Sequence, residues 1–395
     1  MLKQTPFHGR TAPLVRGNDW RRWNGYSVAS AYDTVHDREY ASVRNSAALF
    51  DVSPLCKYII SGRDAVRMLD RMVTRDVSEC AVGRVLYTTW CDERGKVIDD
   101  GTLSRLDEQV FRLTSGDPSL RWLELNGAGM DVRIADVTEQ TAALALQGPL
   151  SRYILERLSP ESLLSLKYFR LLHTTLRDIP VTVSRTGYTG DLGYEIWVDS
   201  ARASQLWDAL IEAGTAFGMT PAGIWALDVA RIEAGLIMLG VDYHTAHHAL
   251  IDAQFSSPFE LSLAWTVSNT KERFNGARAL RHERAREGAW RLVGVDVDWE
   301  SLEQLYAVHG LPPSLPTTAW RASVPLYADG KQAGYATSGC WSPLLKKYIA
   351  LAHVRAPHHA DGTRVGFEVT VEHERRIASA TVTTLPFLDL PRKRA

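Results

Sequence analysis

The stretch RTGYTGDLGYEIWV, residues 185–198, limits the architecture more than any other. It places Gly187, Gly190 and Gly193 within seven residues and follows them at once with a β-prone run. Glycine-rich turns often cradle phosphate, but the two common cradles lead into a helix. A P-loop needs Lys-Ser or Lys-Thr after its last glycine. A dinucleotide fingerprint spaces its glycines G-x-G-x-x-G between strand and helix. Neither pattern occurs here, and the next segment is a strand. The phosphate reading is therefore set aside, and the stretch reads as strand, tight turns, strand. Its glycines allow positive φ or a close approach of backbone or ligand. Alternation puts Tyr194, Ile196 and Val198 on one face and Glu195 and Trp197 on the other. Glu195 is thus an acid on a rigid strand beside a turn-rich loop. It is either a solvated strand carboxylate or one that recognises a planar N–H edge. The 2-amino edge of a pterin offers two parallel donors of that kind.

At 395 residues the chain exceeds one ordinary core, so two or three domains are expected. Short β-prone runs with turn signals in VGRVLYTTWCDERGKVIDDGTLSRLDEQVFRLTSG predict antiparallel hairpins. RDAVRMLDRMV predicts an amphipathic helix with Val66, Leu69, Met72 and Val73 on one face. TAALALQGPLSRYILERLS predicts a strand, a Gly-Pro break and a helix, and GIWALDVARIEAGLI a further helix. From about residue 290 the composition shifts to short strands with Gly or Asp turns, which predicts a separate β domain. GLPPSLPTT predicts an exposed loop. With 45 basic against 46 acidic residues, no field of one sign draws nucleic acid or an anionic membrane. The four cysteines, Cys56, Cys80, Cys91 and Cys340, are scattered, which predicts buried free thiols in a reducing cytoplasm. The N-terminal stretch is polar and arginine-rich, with no apolar targeting run, and a soluble cytoplasmic protein is expected.

RTGYTGDLGYEI resembles the signature of the aminomethyltransferase (glycine cleavage T-protein) superfamily. In order along the chain, EYASVRNSAALFDVS, YTTWCDERGKVIDDG, LALQGP, ALDVARIEAG and YATSGCWSPLLKKYIALAHV resemble its other motifs. The resemblance spans nearly the whole chain. It implies an α+β fold of three domains in a clover-leaf, with a C-terminal β-barrel-like domain and a central folate site. The expected division is 1–52 with 141–285, then 53–140, then 286–395. It also implies an enzyme that moves one-carbon units to or from tetrahydrofolate.

The same resemblance assigns roles. Glu195 grips the pterin's amino edge. Tyr188, in the same loop, stacks on the pterin or hydrogen-bonds to it. Asp100, the second acid of VIDDG, is the catalytic carboxylate, and Tyr87 is a ligand contact. On a strand Asp99 and Asp100 point to opposite faces, so one of them enters a pocket. Arg231 clamps an anion, or pairs with Asp228 one helical turn back. The chain also departs from the pattern. Leu227 stands where the family has the first arginine of ARD. Gly95-Lys96 replaces Gly-Gly, Pro54-Leu55 replaces His-Met, and Ser115 falls near the usual asparagine. These changes border the donor side. They favour demethylation of a small S-, N- or O-methylated metabolite over a T-protein that works with a lipoyl carrier protein. A folate-binding protein without catalysis is a further alternative. His244, His247 and His248 lie close in sequence but lack a metal-site pattern, and no metal is expected. They read as pocket lining or an exposed loop.

Overall fold

The computed structural model describes residues 2–286 and 288–394. A five-stranded sheet, a six-stranded sheet and a closed six-stranded barrel carry most of the chain. The five-stranded sheet contains the predicted hairpins as consecutive antiparallel strands, Val85–Cys91, Val97–Asp107 and Val110–Ser115. Cys56–Ser61 and Arg133–Asp136 complete it. Helix Ala65–Met72 packs on this sheet through Ala65, Met68, Leu69 and Met72. Those positions form the i, i+3, i+4, i+7 stripe, and Val66 lies on its half-buried edge.

In the six-stranded sheet, strands Ile179–Ser184 and Thr141–Gln147 flank Gly193–Asp199. This central strand separates two cores, as its alternation requires. Tyr194, Ile196 and Val198 join Leu144 and Leu146 under helix Ala203–Thr215. Trp197 faces the other way, with Ala143, Ala145 and helix Ile224–Glu233. Glu195 shares the side of Trp197.

The segment from Trp290 to Thr383 closes into a barrel, which leaves no unpaired sheet edge. Alanines and larger residues share its packing, among them Ala336, Ala350 and Ala378 beside Val295, Leu326 and Phe367. Residues 310–318 form a mostly exposed loop. All four cysteines are buried and unbonded. Among the described residues no helix is long and apolar enough to cross a membrane.

The glycines of the opening stretch serve packing. A Cβ on Gly187 or Gly193 would lie 2.1–2.3 Å from the side chain of Gln147. That amide sits under the loop, accepting from Thr189 Oγ1 at 2.8 Å and donating to the carbonyl of Thr186 at 3.3 Å. Gly190 has φ +70°, and a Cβ there would meet Ala234 Cβ at 2.5 Å. Gly190→Ala therefore combines a left-handed backbone with a clash against the end of helix Ile224–Glu233. A loss of roughly 1–3 kcal/mol is expected, read as a lower urea midpoint. An unchanged midpoint would show that the loop adapts.

Candidate functional site

A cavity of about 2050 Å³ opens between the sheets and the barrel. Asp100, Tyr87, Tyr188 and Glu195 all line it, together with Asp99. Motifs far apart in sequence thus meet around one cavity.

Asp100 lies on strand Val97–Asp107. Tyr87, on the neighbouring strand, donates to its Oδ2 at 2.7 Å. Tyr243, from the loop after helix Ile224–Glu233, donates to its Oδ1. Burial pushes the Asp100 carboxyl above its ordinary value, and the two hydroxyls pull it back. Burial also raises Asp99, and the adjacent Asp100 raises it further.

The expectation that only one of the pair enters a pocket is corrected, since both line the cavity. The ladder slips by one residue between Trp90 and Cys91, beside the pair, and such a bulge twists the strand. Asp99 folds back along the chain to accept the N–H groups of Asp100 at 2.8 Å and Asp117 at 3.0 Å. Its Oδ1 then lies 3.2 Å from the Tyr243 hydroxyl.

Glu195 accepts a 2.5 Å hydrogen bond from Thr186 Oγ1. Thr186 pairs with Ser184 Oγ at 2.8 Å, and Ser184 takes Trp197 Nε1–H at 3.3 Å. This chain fixes the carboxylate's orientation from below. Burial raises Glu195, while the Thr186 hydroxyl and the charge of Arg112 oppose the rise. Arg112 is 4% exposed and lies 3.9 Å over the Trp197 ring. Its Nε and Nη2 have no hydrogen-bond partner among the described residues. Burial pushes this guanidinium down to about 9. Tyr188 donates its hydroxyl to the carbonyl of Ile237, which leaves its ring as the part free to meet a ligand.

Arg231 is the other correction. It is fully buried and is not on the cavity wall. Its guanidinium is 2.5 Å from Asp242 and 3.4 Å from Asp228. Asp228 lines the cavity but Arg231 and Asp242 lie behind it, so the helical pairing to Asp228 is realised and the ligand clamp is not. Leu227 does line the cavity. Two guanidiniums reach Asp228 from elsewhere, Arg321 at 2.7 Å and Arg21 at 3.7 Å. His244, His247 and His248 are exposed, and His247 packs edge-on against Trp122.

Sequence reasoning missed Tyr243, Thr186 and Arg112. Thr186 stood inside the opening stretch and had a signal. Tyr243 and Arg112 had none, because each reaches the site from a distant element.

These residues make a deep cavity with an acid held by two phenols and a second buried carboxylate, a site suited to group transfer. Comparison with known proteins then places the chain. The profile described as GCVT N-terminal domain matches residues 7–271, and that of the glycine cleavage T-protein C-terminal barrel domain matches residues 309–389. An aminomethyltransferase of Halothermothrix orenii is 32% identical over 93% of this chain and 95% of its own. One from Moorella thermoacetica is 33% identical over 99% of both chains. A trimethylamine-oxide aldolase of Ruegeria pomeroyi is 34% identical over 98% of this chain and 47% of its own length. The crystal structure of glycine cleavage system aminomethyltransferase T from Bartonella henselae superposes with a TM-score of 0.82 at 24% identity, covering 98% of this chain and 99% of that one. That likeness establishes the fold, α+β with a C-terminal barrel, as the resemblance implied. The chain is a folate-dependent one-carbon transferase. It belongs to the aminomethyltransferase (glycine cleavage T-protein) family.

Proposed function

We propose that this enzyme transfers an aminomethyl-borne carbon to tetrahydrofolate, with a lipoyl carrier protein delivering the donor. The observation that carries this is the convergence of Asp100, with its two phenol donors, and Glu195 on one cavity. The donor set suits the folate. Glu195 is an acceptor for a pterin's paired N–H donors, and the Tyr188 ring offers a flat face. Tetrahydrofolate supplies the two nitrogens, N5 and N10, that take the carbon as the donor's C–N and C–S bonds break, releasing ammonia and the carrier's thiol. Asp100 holds negative charge beside the centre where positive charge develops. Tyr87 and Tyr243 hold that carboxylate in place. The relatives named aminomethyltransferase support this donor over the small methylated metabolite. The same reading divides the chain into 1–52 with 141–285, 53–140 and 286–395, supported by the strands on which each sheet draws.

The test is formation of 5,10-methylene-tetrahydrofolate with and without an aminomethylated lipoyl carrier protein. The rate should depend on the carrier. A rate that ignores the carrier would sink this donor and leave the second reading, a small methylated amine. Leu227 and the Arg21–Arg321 pair, which change the helix face toward the cavity, favour that second reading. The Ruegeria relative's name adds to it. A screen of free methylated amines, monitored by 5-methyl-tetrahydrofolate, separates the two.

A further inference from the structure

Asp100 is held from two sides, and only one side belongs to its own sheet. Tyr87 stands on the adjacent strand. Tyr243 arrives from the loop after helix Ile224–Glu233 and also lies 3.2 Å from Asp99. Nothing in its own sheet sets the position of that phenol.

Its neighbour Asp242 sets it. Asp242 is 1% exposed, and its carboxylate takes four donors. Arg231 Nη1 and the N–H of Met238 reach Oδ2 at 2.5 and 2.9 Å. Thr337 and Ser338 hydroxyls reach Oδ1 at 2.6 and 2.7 Å. The Asp242 backbone carbonyl lies 2.6 Å from His353 Nε2. Thr337 and Ser338 belong to barrel strand Lys331–Ser342, and His353 to Lys347–Arg355. A buried carboxylate with this many donors has one orientation left to it, because any rotation would strand a donor. The tyrosine one residue on is fixed with it.

We propose that Tyr243 is a positioning residue for Asp100, and that Arg231, Asp242, Thr337 and Ser338 form the anchor that carries it from the barrel and helix to the acid. The proposal rests on the reading that Asp100 acts on the transferred carbon. It also gives Arg231 a task. The arginine that the motif marks serves the reaction through Asp242 and Tyr243, without touching a ligand.

One hydroxyl on each oxygen fixes the rotation of the Asp100 carboxylate and leaves a lone pair on each for the cavity. Removing Tyr243 frees Oδ1. The groups that then face Asp100 are Asp99 on its own strand, Tyr87 on the next, Tyr188 from the glycine loop and Asp242 behind the wall. Asp117 lies beyond Asp99. The acids among them favour a protonated Asp100, and one phenol remains to oppose them. A hydrogen bond to the charged form lowers a carboxyl's pKa, so its loss raises it.

Tyr243→Phe is the test, in steady-state turnover with the donor that supports the wild type. We expect kcat to fall roughly 10–100-fold, the cost of a misplaced catalytic group. The calorimetric Kd for tetrahydrofolate should move less than about threefold. The acid limb of the kcat profile should shift to higher pH. Thr337→Val, remote from any substrate, should weaken kcat in the wild-type background and add nothing in the Tyr243→Phe background. Wild-type kcat and an unmoved acid limb in Tyr243→Phe would overturn the proposal. Equal losses from Thr337→Val in both backgrounds would overturn the anchor. A wild type that neither binds tetrahydrofolate nor turns over would sink the functional reading itself, which is a different result from an active wild type with an indifferent Tyr243→Phe.

Discussion

Asp100→Asn should abolish most turnover and leave tetrahydrofolate bound. The substitution keeps the size of the side chain and can keep an acceptor for Tyr87 or Tyr243, so the wall should stay in place. What it removes is the negative charge in a buried site. Loss of one preorganised electrostatic partner costs about 10²–10³ in kcat. The pH dependence of the wild type carries a matching sign. Burial raises Asp100, so its ionised form is lost as pH falls through a point above the ordinary carboxylate value near ~4. The acid limb of kcat should therefore lie above that value, and Asp100→Asn should have no such limb in its residual rate. Binding by calorimetry and turnover of the same variant decide the matter. Binding kept and turnover lost supports catalysis by Asp100. Turnover within twofold of the wild type would remove Asp100 from the chemistry, whereas a wild type that binds tetrahydrofolate and turns nothing over would favour a folate-binding protein without catalysis.

How much of this was legible depends on how local each feature is. The strand Gly193–Asp199 could be read from alternation, because a two-residue period is a property of the strand itself. Its two faces do enter two different cores. The hairpins from Val85 to Ser115 were legible for the same reason, with turn signals between β-prone runs. The glycines of the opening loop were recognised as special, but their reason was not. It is Gln147, some forty residues earlier in sequence, lying where a Cβ would be. Asp99 and Asp100 show the limit of the strand rule. A bulge and a side chain folded back onto backbone N–H groups put both acids on one cavity. For Arg231 the helix period revealed Asp228 but not Asp242, which stands in a loop whose path no periodicity gives. Tyr243 meets Asp100 across 143 residues, a contact set by how the barrel and helix dock.

Glu195→Gln should weaken tetrahydrofolate binding by roughly 1–3 kcal/mol, about 5- to 150-fold in Kd. The carboxylate accepts through both oxygens, and one already holds the Thr186 hydroxyl. Glutamine keeps a single acceptor and turns an N–H₂ group toward a ligand edge that is itself made of donors. The loss combines a missing charge-assisted bond with two opposed donors. The wild type should also bind less tightly as pH falls. Burial raises Glu195, so protonation begins above its usual range and removes the acceptor that the pterin edge needs. Glu195→Gln should show a flat Kd over the same window. Arg112 sharpens the comparison, because its charge favours ionised Glu195 and it stacks on the Trp197 ring of the same strand. Arg112→Met removes that charge, so the wild-type falloff should move to higher pH while Kd at neutral pH changes little. Calorimetric titrations of the three proteins from acid to neutral pH carry the test. Equal Kd values for wild type and Glu195→Gln across the range would take Glu195 out of the folate site.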